Sequence, residues 1–390
     1  MPQKKGKYYA KVLVKDYKKH IRAHKDIIEK MQTILKSTYD SFLLECAYDS
    51  LVMPENALEK YWKEVYIPKK SGGYRQIMIP DQHLQFYFKS ILKYFNSVHE
   101  IGLQIMKDPI QKKRLYQVAN YFQFNKTYYL DNWLTENNSS HGFEKHKSIV
   151  SHAQKHKDST HFFKTDIKAA FPSIKQRDVQ GVLSIYLQMS FIVIKTYGNL
   201  IYGKDIYRNY KLIKNYPNRI ANIFSKILAP QDKLLTGTSL SPFILNQYLL
   251  SFDKRLNTYC NKRGYIYSRY ADDILISSSK VLPREVRNYV RYNLQDFHMV
   301  MNDKKTKFQT YKQKNVITGI VVSYNKETCQ GDVGIGYDKF NKLKKSLYQL
   351  PKMSDRERNQ TLGMLSYLES VNKERADYLK KKYEKQLESL

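Results

Sequence analysis

Two adjacent aspartates interrupt an apolar stretch, and this feature restricts the possible folds of the chain more than any other. Asp272 and Asp273 follow Tyr270-Ala271 and precede the apolar run Ile274-Leu275-Ile276. The pattern over residues 264–279 predicts a β-hairpin with both acids at its bend. Two carboxylates about 4 Å apart repel each other by about 4 kcal/mol at an effective dielectric constant of about 20. Such a bend needs a compensating cation, and a hard divalent metal ion is the natural candidate.

A third acid ends a predicted strand upstream of this bend. Residues 161–167 include Phe162 and Phe163 and place Asp166 at the end of an apolar run. An Asp-Asp pair alone is most often a solvated turn, but a second strand-end acid favours a metal site. Mg²⁺ accepts carboxylate, water and phosphate oxygens. Two such ions, about 3.5–4 Å apart, would activate a primer hydroxyl and stabilise a leaving pyrophosphate.

The net charge indicates a polyanionic partner. Lys and Arg number 67 and Asp and Glu number 36, which gives a formal charge of +31. Each phosphate that the protein neutralises releases condensed counterions, so this surplus favours nucleic acid. General solubility and an anionic membrane surface are the alternatives that charge alone leaves open. The 34 tyrosines suit a basic groove where bases stack, although most tyrosines are packing residues.

Length and cysteine content narrow the class of protein further. A chain of 390 residues suffices for two or three compact subdomains. Cys46, Cys260 and Cys329 are far apart and form no CxxC pair, which argues against a zinc ribbon or a disulfide framework. Their spacing predicts a reducing, cytoplasmic location. We expect no signal peptide and no membrane partner, because no apolar stretch approaches the length of about 20 residues that a spanning helix needs.

Hydrophobic periodicity predicts a chain of mixed helices and strands. Two short strands joined by Gly72-Gly73 predict a hairpin over residues 65–79. Further strands are expected near residues 306–311 and 315–323. Residues 106–140 lack periodicity and are expected to be a long connection or an insertion specific to the chain's family. Helices are expected over residues 1–60, 83–97, 143–157, 175–233 (interrupted near 197–210), 239–262, 283–298 and 336–390.

The acidic motifs resemble those of reverse transcriptases, and the resemblance covers most of the chain. Tyr270-Ala271-Asp272-Asp273 matches the family's Tyr-x-Asp-Asp box, and the segment from Asp166 to Phe171 matches its Asp-x-x-x-x-aromatic box. The resemblance implies that Asp166 and Asp272 bind both Mg²⁺ ions, helped by the backbone carbonyl of Ile167, with Asp273 more peripheral. It also implies that Phe171 is an aromatic gate that excludes a ribose 2′-hydroxyl. A core phenylalanine is the alternative.

Other segments resemble the family's substrate-binding parts. In the box over residues 235–242, Gly237 fits the family pattern, whereas Leu235-Thr236 replaces the usual Pro-Gln. That replacement indicates an altered template or nucleotide preference. Cations of the predicted hairpin resemble those that grip a triphosphate in the fingers, although a solvated basic turn is the alternative. The implied nucleotide-binding residues are Lys69, Arg75, Phe171, Gly237 and Lys305, and the implied primer grip contains Thr318 and Gly319.

Two further motifs resemble bacterial retron and defence-associated members of the family. Ile317-Thr318-Gly319 resembles the retron Val-Thr-Gly motif. Residues 152–156 resemble the retron Asn-Ala-x-x-His motif, with His152 in place of Asn. His152 and His156 would lie on one helix face. A structural or RNA-contact role is favoured over metal binding, because no other good ligand is near in sequence.

The resemblance implies an α+β right-hand polymerase whose split βαβ palm is an antiparallel sheet backed by helices. Residues 1–160 would form an N-terminal helical region and fingers, residues 161–325 the palm, and residues 326–390 a helical thumb. Residues 175–233 would partly form a fingers-type insertion. The implied partners are a structured non-coding RNA, dNTPs and the DNA product, and the implied role is antiphage defence. An effector protein or a homo-oligomer is a further candidate partner.

Two rival functions stay open. Template-independent or protein-primed DNA synthesis would use the same acids, with a tyrosine hydroxyl in place of an RNA hydroxyl as primer. A non-catalytic RNA-binding scaffold would keep the palm without its chemistry. The three intact aspartates argue against the scaffold, because like charges are costly to keep together without a metal ion.

Overall fold

The structure, a computed structural model, describes residues 62–68, 72–121, 124, 130–131, 133–134, 139–202 and 216–388. The helices expected within residues 1–60 lie outside this described part, as does Lys69. The chain divides into two compact units. The first unit comprises residues 1–137 and 171–248, and the second comprises residues 138–170 and 249–390. The division into fingers, palm and thumb at residues 160 and 325 stays a prediction.

The described residues form helices and antiparallel strands. The strands are β1 (Trp62–Pro68), β2 (Tyr74–Pro80), β3 (His161–Lys168), β4 (Ile266–Tyr270), β5 (Asp273–Ser278), β6 (Val300–Met301), β7 (Lys307–Thr310), β8 (Asn315–Ile317), β9 (Ile320–Asn325) and β10 (Gln330–Gly334). The helices are α1 (Gln82–Lys107), α2 (Pro109–Tyr121), α3 (Ile149–Gln154), α4 (Ala170–Ser173), α5 (Gln176–Tyr202), α6 (Tyr216–Leu228), α7 (Ser241–Tyr248), α8 (Leu250–Asn261), α9 (Glu285–Gln295), α10 (Tyr337–Gln349), α11 (Asp355–Val371), α12 (Lys373–Lys382) and α13 (Glu384–Glu388).

The first unit contains the hairpin of β1 and β2. The two strands pair antiparallel in a register that runs from Trp62 opposite Pro80 to Pro68 opposite Tyr74, which confirms the predicted hairpin. Gly72 (φ 85°) and Gly73 (φ 75°) adopt the left-handed conformations that glycine tolerates best. The helix α1 follows directly and is longer than the predicted 83–97.

The prediction of a long irregular connection over residues 106–140 was wrong for its first part, because Pro109–Tyr121 is helical. This helix buries only a narrow stripe that includes Leu115, Val118 and Ala119. The rest of its sequence is polar and basic, so the apolar periodicity is weak although the helix is anchored by packing.

Three other predicted helices differ in their bounds. The helix expected over 143–157 is only the six-residue α3, which begins after Ser148 with a capping box. The helix expected over 239–262 is two helices, because α7 ends at Tyr248 and α8 begins at Leu250. Within 175–233, α5 continues to Tyr202, beyond the start of the predicted interruption at 197.

The second unit is built on two antiparallel sheets. One sheet has the order β4-β5-β3-β6, and β7 also pairs with β3. The other has the order β10-β9-β8. The strand expected over 315–323 is therefore a short hairpin of β8 and β9, which reverses at Thr318 (φ 45°) and Gly319 (φ 91°). The fold of this unit is α+β, as predicted.

The helices α10, α11 and α12 pack on the second unit through one apolar core. Leu347, Leu368 and Leu379 are fully buried there, together with Ile320 of β9 and Phe162 of β3. This shared core fixes the turn between β8 and β9 and the strand β3 within one unit. Among the described helices, none combines the length and the apolar character needed to cross a membrane.

Candidate active site

Strand register brings the three predicted aspartates to one end of the larger sheet. Asp166 of β3 lies opposite Asp273 of β5 in the antiparallel pairing. The backbone N–H of Ile167 donates a hydrogen bond to the carbonyl oxygen of Asp272 at 2.9 Å. Residues separated by about a hundred positions in the chain therefore become neighbours in the fold. The register therefore brings Asp166 beside the bend that carries Asp272 and Asp273, while their joint role in catalysis stays a prediction.

The bend between β4 and β5 is a two-residue connection formed by Ala271 and Asp272. Tyr270 pairs with Asp273 across it, and Ala271 adopts a left-handed conformation with φ 54°. Gly142 lies against this bend so closely that a Cβ atom there would come within 2.5 Å of the Ala271 nitrogen. Glycine is therefore required at 142 for the bend to keep its place.

One lysine compensates the charge of Asp166. The Nζ atom of Lys305 donates to Oδ2 of Asp166 at 2.9 Å, and the backbone N–H of Asn302 donates to the Asp166 carbonyl at 2.9 Å. The hydrogen bond to the Asp166 side chain raises the pKa of Lys305, because it favours the charged ammonium. The loop that carries Lys305 is held by Asp303, which accepts hydrogen bonds from Arg287 and Arg291 of α9.

A surplus of negative charge remains at this end of the sheet. Burial, together with the charges of Asp272 and Asp166, raises the pKa of Asp273 to about 6, although Lys305 acts in the opposite direction. Asp273 is nevertheless an exposed residue of the unit, so solvent moderates this shift. The upward shift in the pKa of Asp273 indicates that acids outnumber cations at this end of the sheet.

The carboxylates fit a hard divalent metal ion. Oδ1 of Asp166 is buried and has no hydrogen-bond partner within the described residues, and the side chain as a whole is only 7% exposed. Such an oxygen is costly unless a cation or water binds it. Among the described residues, no group of three or more Asp, Glu, His or Cys side chains is placed so that it could hold a metal ion by itself. A metal ion here would therefore need further ligands, such as water or substrate oxygens, as Mg²⁺ usually takes.

The histidines of the retron-like motif form a neutral cluster beneath the bend. His156 is buried, with Nδ1 at 2.6 Å from Oγ of Ser277 and Nε2 at 2.6 Å from Oγ of Ser268. It thus joins β5 to β4, because a neutral imidazole donates through one nitrogen and accepts through the other. Burial holds the pKa of His156 well below its usual value, and the neighbouring ring of His152 acts in the same direction. This geometry indicates a structural role for His156.

His152 lies between the bend of Ala271 and Asp272 and the turn of β8 and β9. Its Nδ1 atom lies 3.3 Å from Oγ1 of Thr318, and its ring centre lies 5.8 Å from that of Tyr270. Burial lowers the pKa of His152 to about 3, with further contributions from the charges of His141 and Lys155. The predicted primer-grip residue Thr318 and the Tyr-x-Asp-Asp box therefore share one neighbour.

A buried ion pair that the sequence analysis missed lies below the same bend. Arg269 and Asp253 are 0% and 2% exposed at their side chains, and they form two hydrogen bonds of 2.8 and 2.6 Å. The hydroxyl of Tyr267 also donates to Asp253 at 2.6 Å. A charged residue within an apolar strand is the feature that could have drawn attention to Arg269. Its partner lies on α8, and no sequence spacing predicts that contact.

The remaining predicted site residues lie in the first unit. Gly237 (φ 110°) packs against β2, where an added Cβ would lie 2.5 Å from the Met78 carbonyl oxygen. Thr236 accepts a hydrogen bond from Met78 N–H at 3.0 Å, and its hydroxyl donates to the Gln76 carbonyl at 3.0 Å. The unusual Thr236 therefore ties its box to the hairpin. Arg75 is exposed on β2, and Phe171 is half-buried in α4.

The family model and the similar curated proteins point to the same family. A family model for reverse transcriptases, described as RNA-dependent DNA polymerases, matches residues 67–322. The retron Ec86 reverse transcriptase of Escherichia coli is 26% identical over 273 residues, which are 68% of this chain and 74% of that protein. The retron Mx65 reverse transcriptase of Myxococcus xanthus is 25% identical over 316 residues, which are 80% of this chain and 62% of that protein.

Among solved structures, an apo telomerase from Candida tropicalis is 13% identical, with a TM-score of 0.40 over 84% of this chain and 60% of that chain. The family match rests on sequence, covers well over half of the chain, and contains all three aspartates of the site. The chain therefore belongs to the reverse transcriptase family of RNA-directed DNA polymerases and is a retron-like bacterial member of it.

Proposed function

We propose that this chain copies a dedicated, structured non-coding RNA into DNA by nucleotidyl transfer at Asp166, Asp272 and Asp273. The observation that carries the proposal is the strand register, which places Asp166 opposite Asp273 and beside Asp272. Two Mg²⁺ ions would be held by Asp166 and Asp272 with the carbonyl of Ile167, and Asp273 would be more peripheral. When bound, such ions activate the primer hydroxyl and neutralise the leaving pyrophosphate.

Other residues would bind and select the nucleotide. Lys305 is close enough to the acids to contact the leaving phosphates, since its ammonium already lies 2.9 Å from Asp166. Arg75 with Lys69 would grip the triphosphate, and Gly237 would let the backbone of its box approach the nucleotide pocket. Phe171 would exclude ribonucleotides, because an aromatic ring at that position leaves no space for a 2′-hydroxyl.

The template would be an RNA that binds through charge as well as shape. The formal charge of +31 supports a polyanionic partner. The similar curated proteins are retron reverse transcriptases, which supports a dedicated RNA template and, by extension of the family resemblance, a role in antiphage defence. Thr318 and Gly319 would hold the primer end, beside the catalytic bend.

Sequencing of the nucleic acid that co-purifies with the protein, combined with a primer-extension assay, tests this proposal. We expect one defined RNA species, and DNA synthesis on an RNA template that requires Mg²⁺ and dNTPs. The DNA should partition into the aqueous phase on phenol extraction. DNA that enters that phase only after protease treatment would indicate protein-primed synthesis, and RNA binding without any synthesis would indicate a scaffold.

A further inference from the structure

The ion pair between Arg269 and Asp253 is unusual because it is fully enclosed. The guanidinium uses Nε and Nη2 for the two oxygens of Asp253, in the bidentate geometry that Arg can form and Lys cannot. Burial alone lowers the pKa of Arg269, but Asp253 outweighs this effect and the pKa is raised. The arginine is therefore a fixed cation, and one of its nitrogens remains for another partner.

That remaining nitrogen contacts the catalytic bend. Nη1 of Arg269 donates to the carbonyl oxygen of Ala271 at 2.7 Å. Ala271 has φ 54°, a left-handed conformation that is unfavourable for a residue with a Cβ atom. Two-residue hairpin connections favour Gly or Asn at such positions. The charged hydrogen bond thus offsets a conformational cost at the residue immediately before Asp272.

The backbone of Arg269 is fixed as well. Its N–H donates to the Ser139 carbonyl at 2.8 Å, and its carbonyl accepts from the His141 N–H at 2.8 Å. The segment that makes these contacts continues to Gly142, which packs on the Ala271 nitrogen. The side chain of Arg269 therefore starts from a fixed backbone and ends on the bend.

We propose that Arg269 is a positioning residue that holds Ala271, and through it Asp272 and Asp273, in the geometry needed for nucleotidyl transfer. Asp253 supplies the counter-charge that keeps the guanidinium oriented, and Tyr267 shares that carboxylate. Arg269 itself touches no substrate. This inference rests on the proposed function, because the geometry of the acids matters to activity only if they carry out catalysis.

Arg269→Lys separates the positioning role from simple charge balance. A lysine keeps the positive charge beside Asp253 but cannot bond both Asp253 oxygens and the Ala271 carbonyl with one planar group. We expect kcat for dNTP incorporation to fall about 100-fold, as for a misplaced catalytic group. KM for dNTP and Kd for RNA should stay close to the wild-type values. The matched control is Arg255→Lys, which alters the exposed ion pair between Arg255 and Asp296 and should leave all three quantities unchanged.

Two further variants keep the test decisive if Arg269→Lys is unstable. The double variant Arg269→Met with Asp253→Asn removes both charges of the ion pair. The new asparagine keeps an amide oxygen that accepts the hydrogen bond of the Tyr267 hydroxyl, so the unit should fold. The bend, however, loses the hydrogen bond from Arg269 to the Ala271 carbonyl. Adding Ala271→Gly to Arg269→Lys removes the left-handed cost and should restore part of kcat. A wild-type kcat in Arg269→Lys, or in the double variant Arg269→Met with Asp253→Asn, would overturn the proposal. The absence of any rescue of kcat by Ala271→Gly would also overturn it.

Hydrogen exchange provides a readout that does not depend on activity. In Arg269→Lys, the amide of Ile167, which bonds to the Asp272 carbonyl, should exchange faster than in the wild type and in Arg255→Lys. Unchanged exchange at this amide would contradict the positioning role. A wild-type protein that incorporates no dNTP would instead count against the proposed function, and the exchange measurement would still decide the role of Arg269.

Discussion

The ammonium of Lys305 and the carboxyl group of Asp273 contribute opposite charges to the site around Asp166. The ammonium of Lys305 lowers the pKa of Asp273, which burial and the other acids raise to about 6. A carboxyl group that must be ionised for activity loses its charge as pH falls through its pKa. Without bound metal, Asp273 should therefore take up a proton as pH falls below about 6, and activity at limiting Mg²⁺ should decrease with it.

Replacing Lys305 by Met should move this acidic limb to higher pH. The change removes the cation that favours ionised Asp273, so more of the enzyme is protonated at a given pH. A pH–rate profile of single-nucleotide incorporation measures the shift, and kcat at neutral pH should also fall by about tenfold or more. Lys304→Met, at the exposed neighbouring position, is the matched control. An acidic limb that stays in place in Lys305→Met would show that Lys305 does not influence the acids.

Phe171 provides a prediction about sugar selection. Phe171→Ala should let the enzyme incorporate ribonucleotides, because the ring that would clash with the 2′-hydroxyl is gone. The ratio of kcat/KM for dNTP to that for rNTP should fall by about tenfold or more, as expected when about 1–3 kcal/mol of discrimination is lost. Phe243→Ala removes a ring that stacks on Phe95 in the first unit and should lower stability without changing this ratio. The same change in both variants would exclude Phe171 as the gate.

At the scale of single residues, the sequence indicated the candidate acids but not the residues that hold their surroundings in place. The candidate acids Asp166, Asp272 and Asp273 could be recognised because each lies beside an apolar run, and strand pairing brings their positions together. Arg269 and Asp253 could not be paired in advance, since their contact depends on how α8 packs on β4. In the sequence, Thr236 departs from the usual residue of its box, whereas in the structure its hydroxyl donates a hydrogen bond to the Gln76 carbonyl of β2.

At the scale of elements, the short helix α3 joins the catalytic hairpin to the β8–β9 turn through uncharged histidines. The pKa of folded His152 is about 3, against an ordinary value of 6.5. Between these values the unfolded chain binds a proton that the folded chain does not, so stability present at neutral pH is lost as pH falls.

This difference predicts a measurable pH dependence of stability. Between about pH 7 and about pH 5.5, His152 should contribute a loss of about 1 kcal/mol in the free energy of unfolding. His152→Asn, which restores the residue of the retron motif, should show a smaller loss by about that amount in urea titrations. The exposed His298→Asn variant should keep the wild-type dependence. Equal slopes for His152→Asn and the wild type would mean that His152 is charged in the folded protein.

The elements themselves were predictable where one face is apolar and the period is clear. The hairpin over 264–279 was found because β4 and β5 carry apolar residues on both sides of a polar bend. The helix α2 was missed because its buried stripe is narrow. The division between α7 and α8 was missed because the apolar pattern continues across Leu249, and only the backbone departs from the helix.

At the scale of the whole molecule, positive charge dominates. RNA affinity should fall steeply as salt rises, because each phosphate contact releases a counterion. A plot of log Kd against log salt concentration should have a slope of magnitude about 5 or more, equivalent to about six contacts or more. Fluorescence anisotropy with a structured RNA measures it. A nearly flat plot would contradict the assignment of the +31 charge to nucleic-acid binding.

The division of the chain into two compact units has no signal in local composition. Residues 171–248 interrupt the second unit and belong to the first. A chain that leaves one compact unit and returns to it has no compositional boundary at the crossing points, since both units have similar charge and apolar content. Only long-range packing, such as that of β3 against β5 and β7, decides which segments share a core.

The central claim is that the aspartates at 166, 272 and 273 act together in DNA synthesis on RNA. Single-turnover incorporation of one dNTP opposite an RNA template tests it most directly, with RNA affinity measured on the same samples. Asp272→Asn with Asp273→Asn should lower the rate by about a thousandfold or more and leave RNA affinity unchanged, while Asp338→Asn in the exposed first turn of α10 should match the wild type. A folded double variant that still incorporates dNTP at the wild-type rate would contradict the account.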